Sequence, residues 1–199
     1  MRITGASIGH GLAVAAAGAL AIFFAGAALA QDAPPTGRAP NLYIGLAVGE
    51  SDANYACEGV AGCDKRDNSF GAFAGYWVHR HFSIEVGYHN LGEITAPGGT
   101  YIRSNVWELL VVGYWPVTPP LSLYGKLGPY RGAQEGGGVF ADQKELTNSI
   151  TYGVGAQFDL SKNAGVRTEL QAYPSFGTGP VLPHGAINVV RLSALWRFQ

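Results

Sequence analysis

The chain has 199 residues, enough for one domain with a sizeable core. It carries 29 Gly, 12% aromatic residues and 14% charged residues, against averages of roughly 7% Gly and about 25% charged. That composition disfavours long helices and suits strands and turns, and a formal net charge of −1 excludes bulk electrostatic binding to nucleic acid.

Residues 1–30 read as a secretory signal peptide. Arg2 supplies the positive start, residues 11–30 are wholly apolar, and Ala28-Leu29-Ala30 offers the small residues a signal peptidase accepts. Residues 31–41 follow as a Pro-rich leader without periodicity, "QDAPPTGRAP" over 31–40. Beyond them no run reaches the roughly 18 apolar residues of a spanning helix. The chain after the leader is therefore soluble or crosses a membrane as strands.

From 42 onward the chain alternates with period two, the mark of strands. Leu42, Ile44, Leu46 and Val48 oppose Tyr43, Gly45, Ala47 and Gly49. The first connection carries Cys57 and Cys63 in "CEGVAGC". In an exported protein this spacing fits a small disulfide staple, with two free thiols as the alternative. Two ligands without further Cys or His do not make a zinc site.

A second segment covers 69–78, a third 81–91, where Phe82, Ile84, Val86 and Tyr88 oppose Ser83, Glu85, Gly87 and His89. The fourth, 104–115, is nearly all apolar but contains Glu108. The fifth, 121–130, sets Leu121, Leu123 and Leu127 against Ser122, Tyr124 and Lys126; the sixth covers 148–160. In the seventh, 165–173, Val166, Leu170 and Ala172 oppose Arg167, Glu169 and Gln171. The eighth, 186–199, sets Val190, Leu192, Ala194, Trp196 and Phe198 against Arg191, Ser193, Leu195 and Arg197.

Connections alternate strictly between short (79–81, 116–120, 161–164) and long (50–68, 92–103, 131–147, 174–185). In an up-and-down meander, alternate connections lie at the same end. Short turns at one end and long loops at the other are the asymmetry of an outer-membrane barrel, as is an even strand count of eight. Closure leaves no unpaired backbone edge in lipid.

The polar faces gather Ser, Gly, Thr and Gln with Glu85, Glu108, Lys126, Arg167, Glu169 and Arg191. Eight strands enclose a lumen that side chains fill, so these charges are expected to pair. A soluble lipocalin-like barrel would present the same alternation with the apolar face inward. The signal peptide, the loop asymmetry and the aromatics towards strand ends favour the membrane reading. Those girdle candidates are Tyr43, Tyr76, Trp77, Tyr88, Trp107, Tyr114, Trp115 and Trp196.

Residues 43–93 resemble the OmpA-like transmembrane domain of Gram-negative bacteria. The likeness rests on Tyr43-Ile44-Gly45, the Cys pair in the first loop, Gly75-Tyr76, the run from Glu85 to Gly92, and "YGKLGPYR" at 124–131. It extends over 42–199. The resemblance implies an eight-stranded antiparallel barrel in the outer membrane, inserted by the β-barrel assembly machinery through an aromatic-ended last strand. Trp196 and Phe198 are that signal here, with Gln199 displacing the terminal Phe by one. It also implies charge pairs across the lumen, with Glu85, Glu108, Lys126 and Arg167 the nearest matches. Glu85 is expected to meet Lys126 or Arg167. Well-known members append a peptidoglycan-binding domain, but this sequence ends with strand eight, so that tethering role is not expected of it.

Other chemistry finds little support. A lipid-modifying enzyme needs a Ser, a His and an orienting carboxylate in convergence. Ser83, His89 and Glu93 are the only constellation worth naming, and no catalytic residue is assigned. "HRH" at 79–81 has metal-like spacing, but two ligands at a turn make no site. The Gly-rich 132–140 lacks the frame of a phosphate loop and reads as a mobile external loop. No cofactor or metal is expected. The expected role is structural, with loops displayed for envelope integrity and surface interaction, and a narrow solute pore is the first alternative. The expected partners are membrane lipid, lipopolysaccharide, the assembly machinery, and host or phage ligands.

Overall fold

The computed structural model describes residues 42–53, 62–140, 143–177 and 185–198. Eight strands follow one another: β1 Leu42–Asp52, β2 Arg66–His79, β3 Phe82–Ala96, β4 Thr100–Thr118, β5 Leu121–Gly137, β6 Lys144–Asp159, β7 Ala164–Phe176 and β8 Gly185–Phe198. Each pairs antiparallel with its neighbour, and β1 pairs with β8 to close the barrel. No helix among the described residues is long and apolar enough to cross a membrane, which says nothing against a barrel that crosses with strands.

Along the barrel wall the strands turn their faces as period two requires, with register shifts near the ends of β2, β3, β4 and β7. Phe82, Ile84, Val86 and Tyr88 are exposed on the outside, while Ser83, Glu85 and His89 are buried in the lumen. Leu42, Ile44, Leu46 and Val48 are likewise outside, and Tyr43 and Ala47 inside. The outer wall is thus predominantly apolar, the inverted pattern that only lipid stabilises. Tyr88 and Trp107 meet outside with ring centroids 4.8 Å apart, towards the long-loop end. Tyr76, Trp115 and Trp196 are exposed towards the short-turn end.

Three girdle candidates belong elsewhere. Tyr43 and Tyr114 are buried, and Trp77 packs with them, its ring 5.9 Å from Tyr43 and 4.3 Å from Tyr114. All three lie at inward positions of their strands, so strand parity overrides position along the strand. They form an aromatic floor across the short-turn end of the lumen.

Two of the expected long loops are mostly strand. Residues 92–103 fold as the ends of β3 and β4 around a turn at 97–99, where Gly98 and Gly99 take φ of 86° and 74°. Only glycine enters that left-handed region freely. The hairpin holds because Ile94 and Ile102 are buried on one face and Glu93 accepts from Arg103 Nη2 at 3.0 Å on the other. Residues 132–137 continue β5 and 138–140 form a short 3-10 turn, which corrects the reading of 132–140 as a loop. The glycines there make room for rings: a Cβ at Gly132 would lie 2.6 Å from the Phe176 ring and one at Gly137 2.2 Å from the Tyr101 ring. Lys144 Nζ caps the extension with a 2.7 Å ion pair to Glu135. The hydrogen bond from Lys144 holds the exposed Glu135 carboxyl below its ordinary range.

Candidate functional site: the plugged lumen

The inward positions of β3 to β8 bring charged side chains from distant parts of the chain to one level. Glu85 on β3 meets Arg167 on β7, Nη1 donating to both carboxylate oxygens at 3.1 and 2.9 Å. Lys126 is not its partner. Arg167 Nε donates to Gln157 Oε1 at 2.8 Å, and Nη2 to the Tyr114 hydroxyl. Its guanidinium lies 5.1 to 5.6 Å from the ring centroids of Tyr43, Phe73, Tyr124 and Tyr114. The cation therefore sits on the aromatic floor with its fork occupied, the arrangement that offsets the cost of removing it from water.

A second group lies above. Glu169 accepts from Lys126 Nζ at 2.8 Å, Tyr124 OH at 2.9 Å and Arg191 Nη1 at 3.2 Å. Glu169 and Arg191 are directly paired across β7 and β8, so the strand register alone brings them together. Glu108 on β4 accepts from Gln171 Nε2 and Tyr173 OH, both at 2.8 Å. His89 Nε2 lies 3.1 Å from Glu108 Oε1 and Lys126 Nζ 3.9 Å. Arg191 Nη2 donates to Tyr173 OH at 3.0 Å and Nη1 to Gln171. Three acids and three bases thus balance within two linked layers. All six side chains are buried, where hydrogen bonds and ion pairs are strong and an unpaired charge is costly.

Above this layer an apolar lid closes the lumen. Val106, Tyr130, Tyr173, Phe176, Ile187 and Val189 pack there with Leu91 and Ile94. Tyr130 and Phe176 stack with centroids 5.7 Å apart. Between floor and lid remains a cavity of about 10 Å³, bordered by Glu85, His89, Glu108, Lys126, Arg167 and Glu169 among others. Its size matches about one water, which needs roughly 10–15 Å³.

The remaining candidates are dispersed. Ser83 Oγ is 2.7 Å from the Tyr43 hydroxyl, His89 meets Glu108, and Glu93 pairs with Arg103, so the Ser83–His89–Glu93 constellation does not assemble. His79 and His81 approach with rings 5.7 Å apart, His79 Nδ1 accepting from the His81 amide at 3.3 Å. No group of three metal-ligating side chains occurs among the described residues. Trp196 and Phe198 are exposed outside on β8, and Arg197 between them pairs inward with Asp159. No cysteine among the described residues is free, and Cys57 and His184 lie outside those residues. Sequence reasoning missed the uncharged members of the network: Tyr114, Tyr124, Gln157, Gln171 and Tyr173. Their inward parity was the available signal, since Gln171 and Tyr173 share a face with Arg167 and Glu169.

A closed eight-stranded antiparallel barrel with an apolar exterior and a polar, filled lumen is a transmembrane barrel. The chain belongs to the OmpA-like transmembrane domain family, whose model matches residues 38–194, and it resides in the outer membrane. Solved structures support the fold. The N-terminal barrel domain of Pseudomonas aeruginosa OprF is 14% identical, with a TM-score of 0.53 over 81% of this chain and 100% of that one. Ail, the attachment invasion locus protein of Yersinia pestis, is 17% identical, with a TM-score of 0.52 over 79% and 97%. Neisserial surface protein A is 14% identical, with a TM-score of 0.55 over 79% and 97%. Among curated protein sequences none matches the chain.

Proposed function

We propose that this protein is a non-conducting structural barrel of the outer membrane that supports envelope integrity and displays its long connections for surface interaction. The observation that carries this reading is the lumen: an aromatic floor, a paired charge layer and an apolar lid stack across it, and the cavity bordered by the charge layer holds only about 10 Å³. A solute path would need all three layers to move, which argues against the pore. The dispersal of Ser83, His89 and Glu93 argues against lipid modification. Folded protein in planar bilayers is expected to give no current steps. Reproducible single-channel conductance from heat-modifiable, folded protein would contradict the reading.

Export through residues 1–30, the leader 31–41, and insertion by the β-barrel assembly machinery through Trp196 and Phe198 belong to the same proposal. So do contacts of the displayed connections with host or phage ligands. One structure of Ail holds the heparin analogue sucrose octasulfate, a property of that protein that makes sulfated polymers a reasonable first probe here. A Cys57–Cys63 staple would restrain the first connection. Alkylation of the unfolded protein is expected only after reduction, and labelling without reductant would rule the staple out.

A further inference from the structure

The outer wall is interrupted at one place. Pro129 lies on the outward face of β5, within a strand that has neighbours on both sides, where proline is rare because it has no N–H for the ladder. The β4–β5 pairing passes from Glu108↔Tyr130 to Val111↔Leu127 with no paired residues between. Around this gap the outward face is thin: Gly125 brings no side chain and Pro129 only a compact ring, Val111, Leu127 and Ile150 stand around them, and the inward-facing Gly128 and Gly153 leave backbone beneath. The result is a notch of about 570 Å³ on the lipid-facing side. It is open at Gly125, where a Cβ would meet nothing nearer than the Gly153 carbonyl at 3.9 Å.

Two residues above Pro129, on the same face of the same strand, stands Arg131, exposed on the outside. The register places it in one row with the upper aromatic girdle, directly opposite Trp107 on β4 and Asn148 on β6. Girdle residues mark the headgroup level of a membrane. The other exposed cations on the strands have acids: Arg66 Nε is 3.1 Å from Asp52, Arg103 Nη2 3.0 Å from Glu93 and Lys144 Nζ 2.7 Å from Glu135. Arg131 takes part in no ion pair among the described residues. A guanidinium at headgroup depth without a carboxylate is matched by a phosphate, whose oxygens fit its planar fork. From Arg131 down to Gly125 is roughly 20 Å along the strand at about 3.3 Å per residue. That is a stretch suited to an acyl chain hanging from the headgroup.

We propose that Arg131 and the notch beneath it form a binding site for a phosphate-bearing lipid of the outer leaflet, lipid A in class, with its phosphate on the guanidinium and one acyl chain in the notch. The assignment rests on the outward orientation of the long-connection end, and it names one of the lipids that the envelope role requires.

The test is native mass spectrometry of detergent-folded protein titrated separately with bis-phosphorylated lipid A and with phosphatidylcholine. Wild-type protein is expected to retain lipid A in preference to phosphatidylcholine. Arg131→Ala should lower lipid A occupancy about tenfold, the loss of one charge-assisted contact. Gly125→Leu, which fills the notch from an open position, should lower it while leaving Arg131 in place. Lys162→Ala, an exposed cation in the turn at the opposite end, should change nothing. Heat-modifiable mobility confirms folding of each variant beforehand, and if Gly125→Leu does not fold, Arg131→Ala decides alone. Equal retention of the two lipids, or unchanged lipid A binding by folded Arg131→Ala, would overturn the site. Channel conductance would overturn the closed-barrel reading and leave this result untouched.

Discussion

Glu85→Ala is expected to destabilise the folded barrel by about 3–5 kcal/mol, the cost of stranding a buried partner charge. Arg167 is 2% exposed, and Glu85 supplies both of its carboxylate contacts, at 2.9 and 3.1 Å. With the acid gone, Nη1 faces the aromatic rings and no anion. Gln157 and Tyr114 continue to accept from Nε and Nη2 but carry no compensating charge. Reversible urea unfolding in lipid vesicles measures the effect. The double variant Glu85→Leu/Arg167→Met should recover more than half of the loss, because apolar side chains of similar volume often replace a buried pair at little net cost. A single-variant loss under about 1 kcal/mol, the worth of an exposed pair, would mean that solvent reaches Arg167 and that the lumen is not closed.

The second large effect is expected at the seam where β1 meets β8. Gly49 pairs with Arg191 there. A Cβ on Gly49 would fall 2.0 Å from the Val190 carbonyl oxygen and 2.9 Å from the Arg191 Cα. Both obstacles are backbone atoms, so no rotamer change relieves the clash. The displaced residue is Arg191, which also holds Glu169 and Tyr173. Gly49→Val should therefore exceed the usual overpacking cost of about 1–3 kcal/mol. On a gel it should abolish the unheated, fast-migrating folded band. Gly125→Ala, where the added Cβ meets open space, should fold as wild type. A Gly49→Val barrel of normal stability would contradict the β1–β8 register.

Faces were legible in the sequence wherever their chemistry differed. β1 and β3 could be read residue by residue, because bulky apolar side chains alternate with small or polar ones. β4 could not. Val106, Leu110 and Val112 are buried inside while Trp107, Leu109 and Val111 are exposed outside, so over 106–112 both faces are apolar and only Glu108 marks the lumen. Parity also held more than the girdle reading allowed. Tyr43 shares a face with Gly45 and Ala47, and Trp77 with Phe73 and Gly75, which places both rings inside whatever their height on the strand.

Partners across the lumen were not legible, and the reason is geometric. Glu85 and Arg167 are 82 residues apart on strands that are not neighbours. Period two states that both point inward. It carries no information on their relative height, which depends on the stagger of every intervening strand pair. Glu169 and Arg191 differ in kind, since adjacent antiparallel strands and a short register bring them opposite each other. The hairpin extensions were hidden for another reason. Glycines at 132 and 137 look like loop residues in sequence, yet they serve as room for the rings of Phe176 and Tyr101.

The inside-out arrangement is tested most directly by the four tryptophans. Trp107, Trp115 and Trp196 are exposed on the outer wall, and Trp77 turns into the lumen against Tyr43 and Tyr114. Single-tryptophan variants, with the other three replaced by Phe, would be folded into vesicles containing brominated lipid. Fluorescence from Trp107, Trp115 and Trp196 should be quenched, and that from Trp77 preserved. Quenching of Trp77 with the other three unaffected, or a protein that stays soluble and folded without detergent or lipid, would contradict the barrel's orientation.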